Sequence, residues 1–352
     1  MKKQNLFKSM LLLCALVAGS GSVWAQDVVT LDFTDNTDWE FPTSKVVTEN
    51  SYTDGQGYTI KLEGAGSKNG YRWYSDNKYL INGKSGATLT LPAFDFDVQA
   101  IQVVGRSGAS GAVGQNIYVG ETAVSTETTG ATGTNLYYIN PSYQAAGNVY
   151  KIKVTTEHNT QFTKILIWKK ASISAVGWST YSRPYPLDFT SVTTANAYMV
   201  TGATGSALEL TQVTGTVPEN TGLLISGSGS VDIPTVASSS TSTSDNLLVK
   251  GDGASVKSNG HYVLVARESK AVFAPTGDNA ATVPVGKAYL DLSGISARDF
   301  YFLDDSETTG IKSVSSEAKG FFEGEFYNLS GQRVTKPTKG LYIVNGKKVI
   351  IK

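Results

Sequence analysis

Residues 326–352 read FYNLSGQRVTKPTKGLYIVNGKKVIIK, and this stretch carries the clearest β pattern in the chain. Residues 341–344 and 349–351 are short runs rich in β-branched side chains, and Asn345 and Gly346 lie between them. An Asn-Gly pair favours a type I′ turn, because both central residues of that turn need a positive φ. The stretch therefore predicts a hairpin unit, which is too small to bury a core of its own.

The same kind of pattern continues upstream. Apolar and polar residues alternate over strand-length runs, which Gly, Asn, Asp and Pro separate, and no segment of helix length has apolar residues at helical spacing. We therefore expect an all-β protein. Its predicted parts are an N-terminal jelly-roll sandwich over residues 26–170, a second β-sandwich-like module over 171–310 and a small C-terminal β hairpin unit over 311–352.

Residues 1–25 have the features of a secretory signal peptide. Lys2, Lys3 and Lys8 precede an apolar run at 10–18, and Val23 and Ala25 suit cleavage before Gln26. The alternative is a lipoprotein signal that uses Cys14, although a leucine precedes this cysteine where a small residue is expected. Either interpretation predicts that the chain is exported.

The mature chain would contain no cysteine, since Cys14 is the only one. A disulfide framework, a thiolate metal site and a cysteine nucleophile are thereby excluded. Three of the 30 basic residues lie in residues 1–25, which leaves 27 against 30 acidic residues. This slightly acidic balance argues against nucleic acid as a partner. No other apolar run is long enough for a transmembrane helix.

An aromatic cluster in the first module is the main candidate for ligand binding. Exposed aromatic rings stack on the apolar faces of sugars, while polar neighbours bind the hydroxyl groups. The cluster and its polar neighbours are Tyr71, Arg72, Trp73, Tyr74, Asp76 and Asn77. The alternative is that Trp73 and one tyrosine face belong to the core.

Asp32, Asp35 and Asp38 form an oxygen-rich stretch that suits Ca²⁺. The spacing lacks the full calcium-loop pattern, so a solvated turn is the competing interpretation. We expect no other cofactor.

Catalytic patterns are absent from the sequence. His158 and His261 lie in different predicted modules and in no metal-ligand spacing, and there is no G-x-S-x-G elbow. Asp95 and Asp97 are neighbours on one strand face, which is a common pairing in β proteins and does not define a glycosidase site. We therefore expect a protein that is not an enzyme.

Three segments of the first module, GATLTLPAFDFDVQAIQVVG (86–105), NIYVGETAVS (116–125) and FTKILIW (162–168), resemble galactose-binding-like jelly rolls of bacterial surface proteins. The resemblance implies the fold, a carbohydrate ligand and, at a chain end, a structural calcium ion. Residues 177–305, from GWSTYSRPYPLDF (177–189) to DFYFLDD (299–305), resemble a β module that recurs in secreted surface proteins of gut and oral anaerobic Gram-negative bacteria. That resemblance implies no activity.

The C-terminal stretch resembles the type A sorting domain of type IX secretion substrates. Such a tail routes a protein across the outer membrane and is then usually removed. The residues that carry the match are Tyr327, Leu329, Gly331, Arg333, Val334, Gly340, Tyr342, Val344, Gly346 and Lys352. From Thr309 the tail has only 44 residues, which is short for this family, so a retained structural β element is the alternative.

Two functions follow from these patterns. The first is a non-catalytic, surface or secreted protein that binds a polysaccharide or surface glycan through its jelly roll and is exported by type IX secretion machinery. The second is a structural or adhesive surface protein that contacts other proteins, and it predicts a large exposed apolar patch.

Overall fold

The computed structural model of the chain describes most of residues 27–301 and short segments beyond them. The described residues are 27–66, 69–105, 113–125, 128–130, 133–204, 207–256, 260–267, 269–276, 281–293, 300–301, 312–314, 326–328, 332–334, 340–344 and 347–351. Within them the protein is all-β, as predicted, and a single 3₁₀ turn, Pro141–Tyr143, is the only helical segment. No described helix has the length and apolar character needed to cross a bilayer.

The first module contains thirteen strands. They are β1 Val28–Asp32, β2 Asn50–Thr53, β3 Thr59–Glu63, β4 Arg72–Tyr74, β5 Tyr79–Gly83, β6 Thr88–Thr90, β7 Val98–Gly105, β8 Val113–Val119, β9 Thr122–Ala123, β10 Thr128–Gly130, β11 Thr134–Tyr138, β12 Tyr150–Val154 and β13 Thr160–Lys169.

The second module follows with fifteen short strands. They are β14 Ala171–Ile173, β15 Trp178–Tyr181, β16 Leu187–Asp188, β17 Ala195–Thr204, β18 Ala207–Val213, β19 Thr216–Val217, β20 Leu223–Gly227, β21 Gly229–Val231, β22 Leu248–Lys250, β23 Ser255–Val256, β24 His261–Arg267, β25 Lys270–Pro275, β26 Ala281–Thr282, β27 Ala288–Asp291 and β28 Phe300–Tyr301.

The tail contributes five strands, which form a sheet of their own in the order β29-β33-β32-β30-β31. They are β29 Lys312–Val314, β30 Phe326–Tyr327, β31 Arg333–Val334, β32 Gly340–Val344 and β33 Lys347–Ile351.

Two antiparallel sheets make the first sandwich. Sheet A has the order β11-β7-β13-β5-β4, with β1 also paired to β13, and sheet B has the order β10-β8-β12-β6-β3-β2, with β9 paired to β8. Strand β12 illustrates why they face each other: Tyr150, Ile152 and Val154 are buried, while the alternating Lys151 and Lys153 lie on the outer face. This period of two puts one side of each strand into the core between the sheets.

Sheet A is covered on its other face by the second module. Val28, Ala100 and Trp168 of sheet A pack with Tyr181 and Val231 of the second module in one buried cluster. The two modules therefore share an apolar interface, and sheet A forms a middle layer.

Nine strands of the second module form sheet C, in the order β15-β20-β17-β18-β28-β25-β24-β27-β22. The sheet curls around a core that includes Leu224, Leu264 and Phe273. Its first strand approaches its far end, since the Ala288 amide donates to the Thr180 hydroxyl at 3.2 Å.

Candidate functional site

The aromatic cluster forms a strand at the edge of sheet A and is divided between its two faces. Tyr71 is fully buried in the first core. Its hydroxyl donates to Thr48 O at 3.1 Å and accepts from the Asn50 amide at 2.9 Å. Tyr71 therefore cannot contact a ligand, which corrects its assignment to the glycan-binding set.

Trp73 belongs to the same core-facing side of the strand. It packs against the first core, and its indole nitrogen donates to Phe33 O at 2.9 Å. Its backbone amide also donates to Pro42 O at 2.8 Å. Because one edge of the indole is tied to the interior, Trp73 contributes mainly to packing, as the core interpretation expected.

Arg72 and Tyr74 alternate with these residues and lie on the opposite, outer face. The Tyr74 ring stacks on Tyr79, directly across the hairpin, with ring centroids 5.2 Å apart and an interplanar angle of 26°. The Arg72 guanidinium carbon lies 5.4 Å from the centroid of the Tyr74 ring. Tyr79 is only 5% exposed, whereas Tyr74 is half-buried, so Tyr74 is the ring that reaches solvent.

The turn between β4 and β5 places polar groups next to this ring. Asp76 and Asn77 are exposed in the turn, and Lys78 adopts φ 52°, in the left-handed region. Tyr74 closes the hairpin by pairing with Tyr79. The structure thus brings four of the predicted residues, Arg72, Tyr74, Asp76 and Asn77, to one solvent-facing corner of the first module.

The predicted calcium residues do not converge. Asp32 Oδ1 accepts from both the amide and the hydroxyl of Thr34, and its Oδ2 lies 2.9 Å from Lys164 Nζ. Burial opposes ionisation of Asp32, but these hydrogen bonds and the lysine charge hold its pKa below the usual value. Asp35 is occupied in the same way, by the amide and hydroxyl of Thr37.

Asp38 is exposed. It lies against Gly55, where a Cβ would come within 2.4 Å of Asp38 Oδ2. The described residues contain no group of three or more His, Cys, Asp or Glu side chains that is suited to a metal ion. Calcium binding by this stretch stays a prediction, with a solvated turn as the alternative.

The residues that were considered for catalysis have different local environments. His158 is exposed, whereas His261 lies 3.6 Å from Asp291 and beside the Tyr289 ring. Asp97 accepts from the Ala146 amide at 3.0 Å and from the Ser230 hydroxyl at 3.3 Å, while Asp95 is exposed.

The sorting-type tail has the predicted hairpin at its centre. Strands β32 and β33 pair from Gly340 opposite Ile351 to Val344 opposite Lys347, while Asn345 and Gly346 lie outside the described residues. Tyr342 is 9% exposed and meets Phe326 edge to face, with centroids 6.0 Å apart.

The remaining motif residues of the tail lie either in the neighbouring strand pair or outside the described residues. Tyr327 pairs with Arg333, and Val334 pairs with Phe326. Leu329, Gly331, Gly346 and Lys352 lie outside the described residues.

One cluster was not predicted from the sequence. Asp27 Oδ2 lies 3.3 Å from Arg183 Nη1, and Asp27 Oδ1 lies 3.0 Å from Lys287 Nζ, with all three side chains at most 4% exposed. The Arg183 guanidinium packs over the rings of Tyr181 and Trp168, at 4.0 and 5.1 Å. The sequence feature that could have indicated this cluster is the run YSRPYP, in which aromatic residues surround Arg183.

Comparisons with known proteins place the chain in no family: no family model, no curated protein and no solved structure matches it.

Proposed function

We propose that the protein is a non-catalytic protein of the cell surface or exterior that binds glycans through the outer corner of its first sandwich. The observation that carries this proposal is the Tyr74 ring, which contacts Tyr79 and Arg72 and lies beside the exposed Asp76 and Asn77. A fixed ring with hydrogen-bonding groups at its rim matches a sugar, which presents an apolar C–H face surrounded by hydroxyl groups.

The neighbouring residues support this proposal because they fix the orientation of the Tyr74 ring. Tyr74 stacks on a tyrosine that is almost fully buried, so its ring is already oriented before a ligand arrives. Preorganisation of this kind reduces the entropy lost on binding. Arg72 offers several donors in a planar fork, and Asp76 and Asn77 add acceptors.

The test is a glycan array probed with residues 26–352. We expect binding to at least one glycan and weaker binding in Tyr74→Ala, because one stacked ring contributes about 1 kcal/mol or more. Affinity should therefore fall several-fold or more, measured by calorimetry with the best glycan on the array.

Tyr118→Ala is a matched control. Tyr118 is also half-buried and also carries a cation, with Lys153 Nζ 5.5 Å from its ring centroid, but it lies on the outer face of sheet B. The control should bind like the parent. An array without any positive glycan, using protein shown to be folded, would reject glycan binding.

That negative outcome would favour a structural or adhesive protein that contacts other proteins. Among the described residues, Val149 and Val285 are the only large apolar side chains more than about a third exposed, so this part of the surface offers no extended apolar patch.

Export by a type IX system is the second part of the proposal. It rests on the motif residues of the tail and on the paired β32–β33 hairpin, which suits a small unit that a receptor could recognise. A tail that is retained as a structural element remains the competing proposal.

A further inference from the structure

The first sandwich contains a polar layer at one end of its core. Asn82, Gln115 and Thr160 are respectively 0%, 2% and 3% exposed. Asn82 Nδ2 and Oδ1, Gln115 Oε1 and Thr160 Oγ1 find no hydrogen-bond partner in the structure as described. Buried polar atoms are almost always paired in folded proteins, so these four atoms require a partner.

The three residues lie on strands that build the core of the first sandwich. On β5, Leu80 is a core residue and Asn82 follows two positions later; on β8, Gln115 shares a face with the core residue Ile117. On β13, Thr160 precedes the core residue Phe162 by two. Since side chains two apart in a regular strand share a face, Gln115 and Thr160 lie on core-facing positions. Asn82 is fully buried at the β-bulge beside Thr160.

The three residues also lie at the same end of the sandwich. In sheet A, Thr160 pairs with Gly83, and the next pair is Gln161 with Ile81. The register therefore skips Asn82, which lies beside Thr160. The chain then crosses to sheet B, where a Cβ on Gly83 would lie 2.8 Å from Ala87 Cβ. Ala87 O accepts from the Val154 amide, and Val154 pairs with Gln115.

Small residues line this end of the core. Ala87 presents a single methyl group, and a Cβ on Gly83 would lie 2.8 Å from it. Large apolar residues fill the layers farther inside, such as Leu80, Ile117 and Phe162. Buried water occupies sites where polar groups can hydrogen-bond it, whereas an apolar cavity stays dry.

We propose that this end layer is a buried hydration site, in which one or more ordered water molecules bridge Asn82, Thr160 and Gln115. The mixture of groups selects the ligand. Asn82 Nδ2 is a donor, Gln115 Oε1 is an acceptor and Thr160 Oγ1 can be either, which suits water. A cation fits poorly, because the amide donor would face it and no carboxylate belongs to the set.

The test uses residues 26–352 in two measurements. A high-resolution crystal structure should show water within hydrogen-bonding distance of Asn82 and of Thr160 or Gln115. Oxygen-17 relaxation dispersion in solution should count long-lived internal water, and the count should fall by at least one in Asn82→Leu. Asn116→Leu is the control, because Asn116 Oδ1 is already bonded by the Ser125 hydroxyl, and its count should equal that of the parent.

Thermal unfolding adds a readout that separates a wet layer from a dry one. If water bridges the set, Asn82→Leu lowers the melting temperature, because Thr160 and Gln115 lose their shared partner. When Thr160→Val and Gln115→Met are added to Asn82→Leu, the melting temperature should recover in part. A dry layer or a metal ion in the crystal structure of the parent protein overturns the proposal, as does an Asn82→Leu variant that is more stable with an unchanged water count.

Discussion

Arg183 Nη1 lies 3.3 Å from Asp27 Oδ2, and this contact joins two residues that are 156 positions apart in the chain. Asp27 immediately precedes the first strand of the first sandwich, and Arg183 belongs to the second module. Lys287 completes the cluster from a third position. The contact shows that the two modules are linked by buried charge as well as by the apolar interface around Trp168.

Replacement of Asp27 by Asn should destabilise the whole mature chain. The change leaves Arg183 and Lys287 as two buried cations without an anion, and the removal of one partner from a buried ion pair costs about 3–5 kcal/mol. Urea unfolding measures this loss of unfolding free energy. Asp95→Asn, at an exposed position, is the control and should be nearly neutral. A loss of under about 1 kcal/mol for Asp27→Asn would show that the cluster is solvated in solution.

Trp73→Ala and Tyr74→Ala should have opposite phenotypes although the residues are adjacent. Trp73 packs on the core and its indole is bonded to Phe33 O, so we expect a stability loss of about 2–3 kcal/mol, below the range for a fully buried tryptophan. Tyr74 is on the outer face, and its removal should cost about 1 kcal/mol or less while weakening glycan binding several-fold or more. Chemical unfolding and glycan titration of both variants check the pair. Equal stability losses in the two variants would contradict the assignment of Trp73 and Tyr74 to opposite faces of the strand.

Stability should fall at alkaline pH because Tyr181 is buried. Burial raises the pKa of Tyr181 from 10.0 to about 12, despite the nearby Arg183 charge. The folded state therefore keeps the phenol proton in a range where the unfolded chain loses it. The contribution is complete below about pH 10 and is lost as pH rises towards about 12.

Tyr181→Phe tests this assignment. The variant loses the hydrogen bond to Gln99 Oε1, which costs about 1 kcal/mol near neutral pH. Its unfolding free energy should then fall less steeply with alkaline pH than that of the parent, by up to the equivalent of one proton. Urea unfolding across the alkaline range provides both slopes, and identical slopes would count against Tyr181.

Deletion of residues 311–352 tests the tail as an export signal. In a host with a type IX system, the truncated protein should accumulate in the periplasm, while the parent reaches the surface. Fractionation and surface labelling measure the distribution. The truncated protein should also unfold like the parent in the region 26–310, which separates a failure of export from a failure of folding. Unchanged surface display would support the retained structural element.

Local patterns predicted the strands well. The alternation of Tyr150, Ile152 and Val154 with Lys151 and Lys153 predicted the two faces of β12, because a strand has a period of two whatever it pairs with. The Asn345–Gly346 signal likewise predicted the antiparallel pairing of β32 with β33, since a hairpin signal depends on only a few consecutive residues.

The candidate site was predicted only in part. The sequence indicated that residues 71–77 were unusual, but it could not assign each ring to a face. Tyr71 and Trp73 became core residues, and Tyr74 reached solvent, because the edge position of β4 and its register with β5 decide which side faces sheet B. A shift of one residue would have reversed the assignment.

The sequence by itself determined that the chain folds as β-structure, that its strands have one apolar face and that a hairpin lies near its end. These properties depend on residues within a few positions of one another. Only the tertiary structure decided that sheet A is covered on both faces, that Asp27 meets Arg183 and Lys287, and that Asn82, Gln115 and Thr160 share one end of a core. Such contacts join segments far apart in the chain, so their partners depend on strand order and register, which no local pattern specifies.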